Sequence, residues 1–362
     1  MDQIALIIGG VNIYWSTAII ALAAGAGVLF FWCFYLWNGE DYLGAFLTAP
    51  VSVVLGVVLA RLVHWYCRTD SYVSLRSAMT DYSYGGFALA GAFAGCLLAA
   101  LLLRLTRLVK NLPALLDSMS LGGCGAIALG RLSGFCNSLD RGQLLTPGQG
   151  GFWAATAVNT ATGAVEYRLA TFLLQAMAAG VLFIGLSSLF LWKKKKLTLR
   201  DGDITLLFLL YYSASQVVLD STRYDAIYFR SNGFVSVVQI LCACAIVMTI
   251  AVFSVRYWKA GGWRPGCAAL WLACAALIGG AGYMEYYVQR HGNQAVFAYS
   301  VMSGCLTGVL VLTTALWAVT RKCCEACLPS IPRFPTRNNP IPLCRRKRAE
   351  RCFIPKKTII LL

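Results

Sequence analysis

The chain is built from long apolar runs separated by short polar connections, and the runs are continuous, without an alternation of two residues. A helix needs roughly 20 consecutive apolar residues to cross about 30 Å of hydrocarbon, whereas the strands of a membrane barrel alternate in segments of roughly ten. The pattern therefore predicts membrane helices near 13–37, 43–64, 84–105, 115–135, 167–192, 204–222, 234–257, 266–286 and 296–320. The fold class is an all-α integral membrane protein with about nine transmembrane helices. The first run lacks a basic flank and a small-residue cleavage site, so it reads as a retained span. Gly122, Ala126, Gly130 and Gly134 recur every fourth residue in the fourth run, and Gly91 and Gly95 do so in the third, which predicts close helix packing there.

Composition agrees with a membrane chain. With 59% hydrophobic and 13% charged residues and a mean hydropathy of +0.67, both a water-soluble domain and a disordered chain are excluded. Basic residues number 31 against 15 acidic ones, a formal charge of +16. The excess is read as topology, and no nucleic-acid partner is expected. It gathers in the loop with Arg104, Arg107 and Lys110, in the Lys193–Lys196 run, around Arg256, Lys259 and Arg264, and in the tail from Arg321. Loops rich in Lys and Arg stay inside, so the N-terminus should be outside and the C-terminus inside. Residues 321–362 then form a basic tail carrying Pro and Cys against the inner leaflet, with membrane lipids as its partner. Among the 15 cysteines, Cys323, Cys324 and Cys327 could be weighed as metal ligands. They lack a second pair at zinc-knuckle spacing, so no metal or other cofactor is expected, and palmitoylation is an equal alternative.

Ionisable residues at membrane depth are expensive and point to function. Four polar clusters fall at span ends that the loop charges place on one side. They are Tyr82, Tyr84, Gly85 and Gly86; Arg131, Asn137, Asp140 and Arg141; Asp220, Arg223 and Asp225; and Asn232 with Gln239. Two arginines at or near hydrocarbon depth point to an anionic ligand. Simpler readings stand beside this one, since Arg131 could snorkel to headgroups and Arg223 could merely pair with Asp220 at i, i+3. His64 and His291 stand at span edges without a catalytic pattern, and no Walker loop, HExxH or serine elbow is present.

The stretches Tyr84-Gly85-Gly86-Phe87-Ala88-Leu89-Ala90-Gly91, Gly130-Arg131-Leu132-Ser133-Gly134-Phe135-Cys136-Asn137, Leu219-Asp220-Ser221-Thr222-Arg223-Tyr224-Asp225 and Phe234-Val235-Ser236-Val237-Val238-Gln239-Ile240-Leu241 resemble, in order and spacing, the prolipoprotein diacylglyceryl transferase family. The resemblance covers roughly residues 10–258 and implies a seven-helix domain over 1–258, followed by two additional helices (259–320) and the tail (321–362). It implies transfer of the diacylglyceryl group of phosphatidylglycerol to the lipobox cysteine of an exported precursor, at the outer face of a bacterial cytoplasmic membrane. Arg131 and Arg223 would hold phosphate, Tyr84 or Asp140 would assist proton transfer, and Gly85, Gly86, Asn137, Gly142 and Gln239 would bind substrate.

The chain also departs from the family. Tyr84 stands where the family has histidine, Gly134 where it has asparagine, Leu139 at an acidic position with Asp140 one place on, and Gln175 where it has glutamate. A divergent transferase, a non-catalytic lipid-binding relative and a transporter of an anionic solute all remain compatible with the sequence.

Overall fold

The computed structural model describes residues 4–8, 11–80, 86–138, 140–146, 151–158, 162–195, 199–229, 232–291 and 294–326. After a hairpin of β1 (Ile4–Ile8) and β2 (Val11–Tyr14), the chain runs through α1 (Trp15–Trp37), α2 (Tyr42–Cys67), the short α3 (Leu75–Thr80), α4 (Leu89–Leu105) and α5 (Leu112–Gly130). A second hairpin, β3 (Ala154–Val158) and β4 (Val165–Leu169), precedes α6 (Thr171–Lys195) and α7 (Asp203–Ser221). A third, β5 (Tyr228–Phe229) and β6 (Asn232–Ser236), leads into α8 (Val237–Lys259), and α9 (Arg264–His291) and α10 (Ala295–Ala326) complete the described bundle. Among the described residues eight helices are long and apolar enough to span a membrane, and Leu89–Leu105 is a shorter apolar helix. The protein is thus a multi-pass, mostly helical membrane protein.

Two span starts differ most from the sequence expectation. The third span, α4, begins at Leu89 rather than near 84, because Gly86 has φ +93°, outside the helical region. The fifth begins at Thr171 rather than near 167, because residues 165–169 pair antiparallel with 154–158.

The small-residue stripes lie where backbones meet. A Cβ added at Gly122 would be 2.6 Å from the Gly27 carbonyl, and one at Gly27 would be 2.6 Å from Ala126 Cβ, so α1 and α5 touch backbone to backbone. One added at Gly95 would be 2.5 Å from the Leu55 carbonyl and 2.6 Å from Gly56, which sets α4 against α2 in the same way. Such contact lets dispersion act between helices in a solvent as apolar as their side chains. At the end of the bundle opposite the candidate site, Asp117 is buried and accepts from Gly202 N, Thr205 N and Thr205 Oγ1 at 2.8, 2.8 and 2.9 Å, fastening α7 to α5. There Arg256 pairs with Asp203, which also accepts from Trp317 Nε1 at 3.2 Å. The additional helices pack on each other, and α10 also lies against α7 and α8.

Candidate active site

The α-helix of α5 ends at Gly130, and Arg131 opens a tighter helical turn, Arg131–Phe135. Gly134 lies in that turn against Phe172, whose ring atoms would be 2.6 Å or less from an added Cβ, so a glycine is needed where a larger residue would collide. The chain returns through Asp140, in the left-handed region at φ +57°, a conformation that aspartate tolerates better than most residues. Gly142 N then donates to the Leu169 carbonyl at 2.7 Å and Leu169 N to the Gln143 carbonyl at 2.9 Å. A side chain at Gly142 would meet Thr171 Oγ1 at 2.5 Å and Leu169 Cβ at 2.8 Å. Gly142 therefore allows this loop to lie flat on the strand that leads into α6.

Asp140 is bound by both arginines singled out from the sequence. Arg131 Nη1 lies 2.6 Å from its Oδ2 and Arg223 Nη2 2.7 Å from its Oδ1. Arg223 is further held by Asp220 Oδ1 at 3.2 Å and Asp225 Oδ1 at 3.0 Å, and Asp225 Oδ2 accepts from Asp140 N at 3.0 Å. Burial pushes the Asp140 carboxyl up, but Arg131 and Arg223 outweigh it and leave it below the ordinary carboxylate range. Arg223 stays charged, since its three carboxylates overcome its own burial. Asp220 is 2% exposed and also receives the Ser236 hydroxyl.

Two guanidiniums aimed at the two oxygens of one carboxylate have the geometry with which arginine pairs hold phosphate. A third cation adjoins them. Arg141 is 4% exposed, donates from Nη2 to the Asn137 carbonyl at 2.8 Å and stacks on Phe172, while its Nε and Nη1 are buried with no hydrogen-bond partner. Buried donors of a charged group left unsatisfied are costly, and an anionic ligand would satisfy them. The sequence placed Arg141 in the right cluster but gave it no role, because the stack that buries it depends on Phe172, 31 positions away in the sequence.

The other sequence candidates divide. Asn137 contributes its carbonyl to Arg141. Gln239 is buried in a capping box: its Oε1 accepts from Ser236 N at 2.9 Å, its backbone N donates to Ser236 Oγ at 3.1 Å, and its Nε2 donates to the Val217 carbonyl at 3.1 Å. It locks the start of α8 to the end of α7 and so positions the Ser236 hydroxyl on Asp220. Tyr84 and Gly85 lie outside the described residues, as do Leu139 and Cys327 and the tail beyond it. Gln175 donates to Gln216 Oε1 at 3.1 Å one turn below Thr171, leaving Gln175 Oε1 and Gln216 Nε2 buried without partners.

Gly86 belongs to a neighbouring group at the same end of the bundle. Its carbonyl accepts from Arg61 Nη1 at 2.9 Å, and Arg61, 1% exposed, also donates to the Ala78 carbonyl and faces the rings of Tyr72 and Phe87. Tyr72 hydroxyl and His64 Nδ1 are 2.8 Å apart. An added Cβ at Gly86 would be 2.7 Å from Arg61 Nη1 and 2.8 Å from His64 Cε1. One turn beyond His64, Arg68 reaches the Asp225 carbonyl at 3.4 Å, which ties this group to the arginine cluster. Arg61 was missed as a candidate, although a basic residue inside the 43–64 apolar run was itself the signal.

The sequence model of the prolipoprotein diacylglyceryl transferase family matches residues 3–255. Proteins named phosphatidylglycerol–prolipoprotein diacylglyceryl transferase from two strains of Streptococcus equi subsp. zooepidemicus, H70 and MGCS10565, are each 31% identical over 85 residues. The alignments cover 23% of this chain and 32% of each relative, so the chain matches about a third of their length.

Proposed function

Because the chain belongs to the prolipoprotein diacylglyceryl transferase family, we propose that it transfers the diacylglyceryl group of phosphatidylglycerol to the lipobox cysteine of an exported precursor, at the outer face of a bacterial cytoplasmic membrane. The observation that carries this reading is the Asp140 carboxylate clasped by Arg131 and Arg223 beside the unsatisfied donors of Arg141.

A phosphodiester entering the site takes over donors that Asp140 holds and adds those of Arg141. The precursor thiol loses its proton, and its sulfur attacks the glyceryl carbon that bears the phosphate oxygen. That carbon–oxygen bond breaks with its electron pair going to the phosphate, and glycerol phosphate leaves. Charge on the phosphate oxygens grows as the bond breaks, so guanidiniums fixed by carboxylates stabilise the transition state more than the ground state. Asp140, held ionised by two arginines, is a weak proton acceptor. The departing phosphate is the better destination for the thiol proton, with the Tyr84 hydroxyl relaying it, or accepting it only as a phenolate.

Purified protein given phosphatidylglycerol and a lipobox peptide should add one diacylglyceryl group to the peptide. R131A should lower the rate by at least about 100-fold, the cost of removing one charged donor from a transition state, and Y84F separates a needed hydroxyl from a dispensable one. Unmodified peptide alongside retained lipid would favour a non-catalytic lipid-binding relative. Solute flux in sealed vesicles would favour a transporter.

A further inference from the structure

The buried stripe of α9 runs Cys267, Cys274, Ala281 and Glu285, ending in a carboxylate where its earlier members are small. Glu285 is 4% exposed; its Oε1 accepts from Gln289 Nε2 at 3.2 Å, and its Oε2 is buried with no partner. At the end of α7, Ser221 Oγ is also buried and without a partner. Tyr299 of α10 binds the adjoining backbone, since its hydroxyl accepts from Gln143 Nε2 at 2.8 Å and donates to the Ser221 carbonyl at 3.3 Å. Tyr228 joins this nook to the arginine cluster. It interacts electrostatically with Glu285 and Gln289 on one side and with Asp220 and Arg223 on the other.

The nook therefore borders the anion site along the chain at two places, with Gln143 two residues after Arg141 and Ser221 next to Asp220. Burying a carboxylate oxygen and a hydroxyl oxygen with no donor is costly. Two unmet acceptors beside a phosphate site fit a headgroup that donates hydrogen bonds.

We propose that Glu285 Oε2 and Ser221 Oγ form a polyol subsite that receives the hydroxyls of a phospholipid headgroup whose phosphate lies on the arginines. This rests on the phospholipid reading above. It gives the two helices beyond the family match a task, selecting a glycerol head over other phosphodiester heads.

The test uses the full chain in detergent micelles with equimolar phosphatidylglycerol, phosphatidylethanol and phosphatidylethanolamine, and measures retained lipids by mass spectrometry. Wild-type protein should retain phosphatidylglycerol over phosphatidylethanol by about tenfold, the effect of hydrogen bonds to a charged acceptor. E285Q and S221A should each bring that ratio down to about threefold or less. A wild-type ratio near one, a variant that loses both lipids in proportion with the ratio kept, or a preference for phosphatidylethanolamine would each overturn the polyol subsite while leaving the phospholipid reading standing. Retention of none of the three lipids would count against both. Should E285Q fail to fold, the wild-type ratio and S221A still decide.

Discussion

Asp140 is the partner of two arginines and, on the function proposed, would compete with phosphate for them; its position depends on a left-handed backbone that the loop imposes. Its folded carboxyl lies below the ordinary carboxylate range, so its contribution to stability is present above the unfolded value and is lost as pH falls through the lower folded one. Thermal unfolding of the solubilised protein from about pH 5 down to about pH 2 should show a steeper acid loss for wild type than for D140N, which has no such proton to take up. Equal slopes would remove Asp140 from the electrostatic account. D140N should also bind glycerol phosphate several-fold more tightly by calorimetry, because the ligand no longer displaces a carboxylate. At this scale the sequence showed Arg131, Asp140 and Arg223 clearly, since charges at membrane depth stand out against apolar runs. The unsatisfied donors of Arg141 depend on distant packing and were not legible. The capping of α8 was legible in principle, because Ser236 and Gln239 have the spacing of a capping box.

Between helices, glycine decides the approach. Gly122 against Gly27, and Gly95 against Gly56, leave no room for a side chain, so G95L should force α2 and α4 apart. The expected cost is about 1–3 kcal/mol, the usual penalty for overpacking, and would be read as a lower midpoint in thermal unfolding, while L98A on the exposed side of α4 should change little. These stripes, the apolar runs and thus most helices were readable because membrane helices are long and uniformly apolar. The hairpins were not, since strands of five residues or fewer with mixed polarity, such as Val165–Leu169, carry no comparable signal. That limitation also displaced the start of α6, which follows directly from β4.

For the molecule as a whole, α9 and α10 are continuous with the core: Cys274, Ala281, Met302, Leu306 and Val309 pack in one cluster with Leu210, Ala214, Ile246 and Ile250 of α7 and α8. A chain ending after Lys259 would uncover that face, and its thermal midpoint in detergent should drop by several degrees. An unchanged midpoint would make the two helices an independent addition. The loop charges further predict that a reporter fused after Leu362 reads as inside, a result open to direct assay in cells. Transfer from a phosphodiester lipid, supported by three arginines gathered at one end of this bundle, is the function proposed here for this protein. Its most direct test is to count glycerol phosphate released against diacylglyceryl peptide formed by the purified protein. A ratio of one to one, lost together in R131A, is the predicted result; phosphatidylglycerol held by the protein with neither product formed would contradict it.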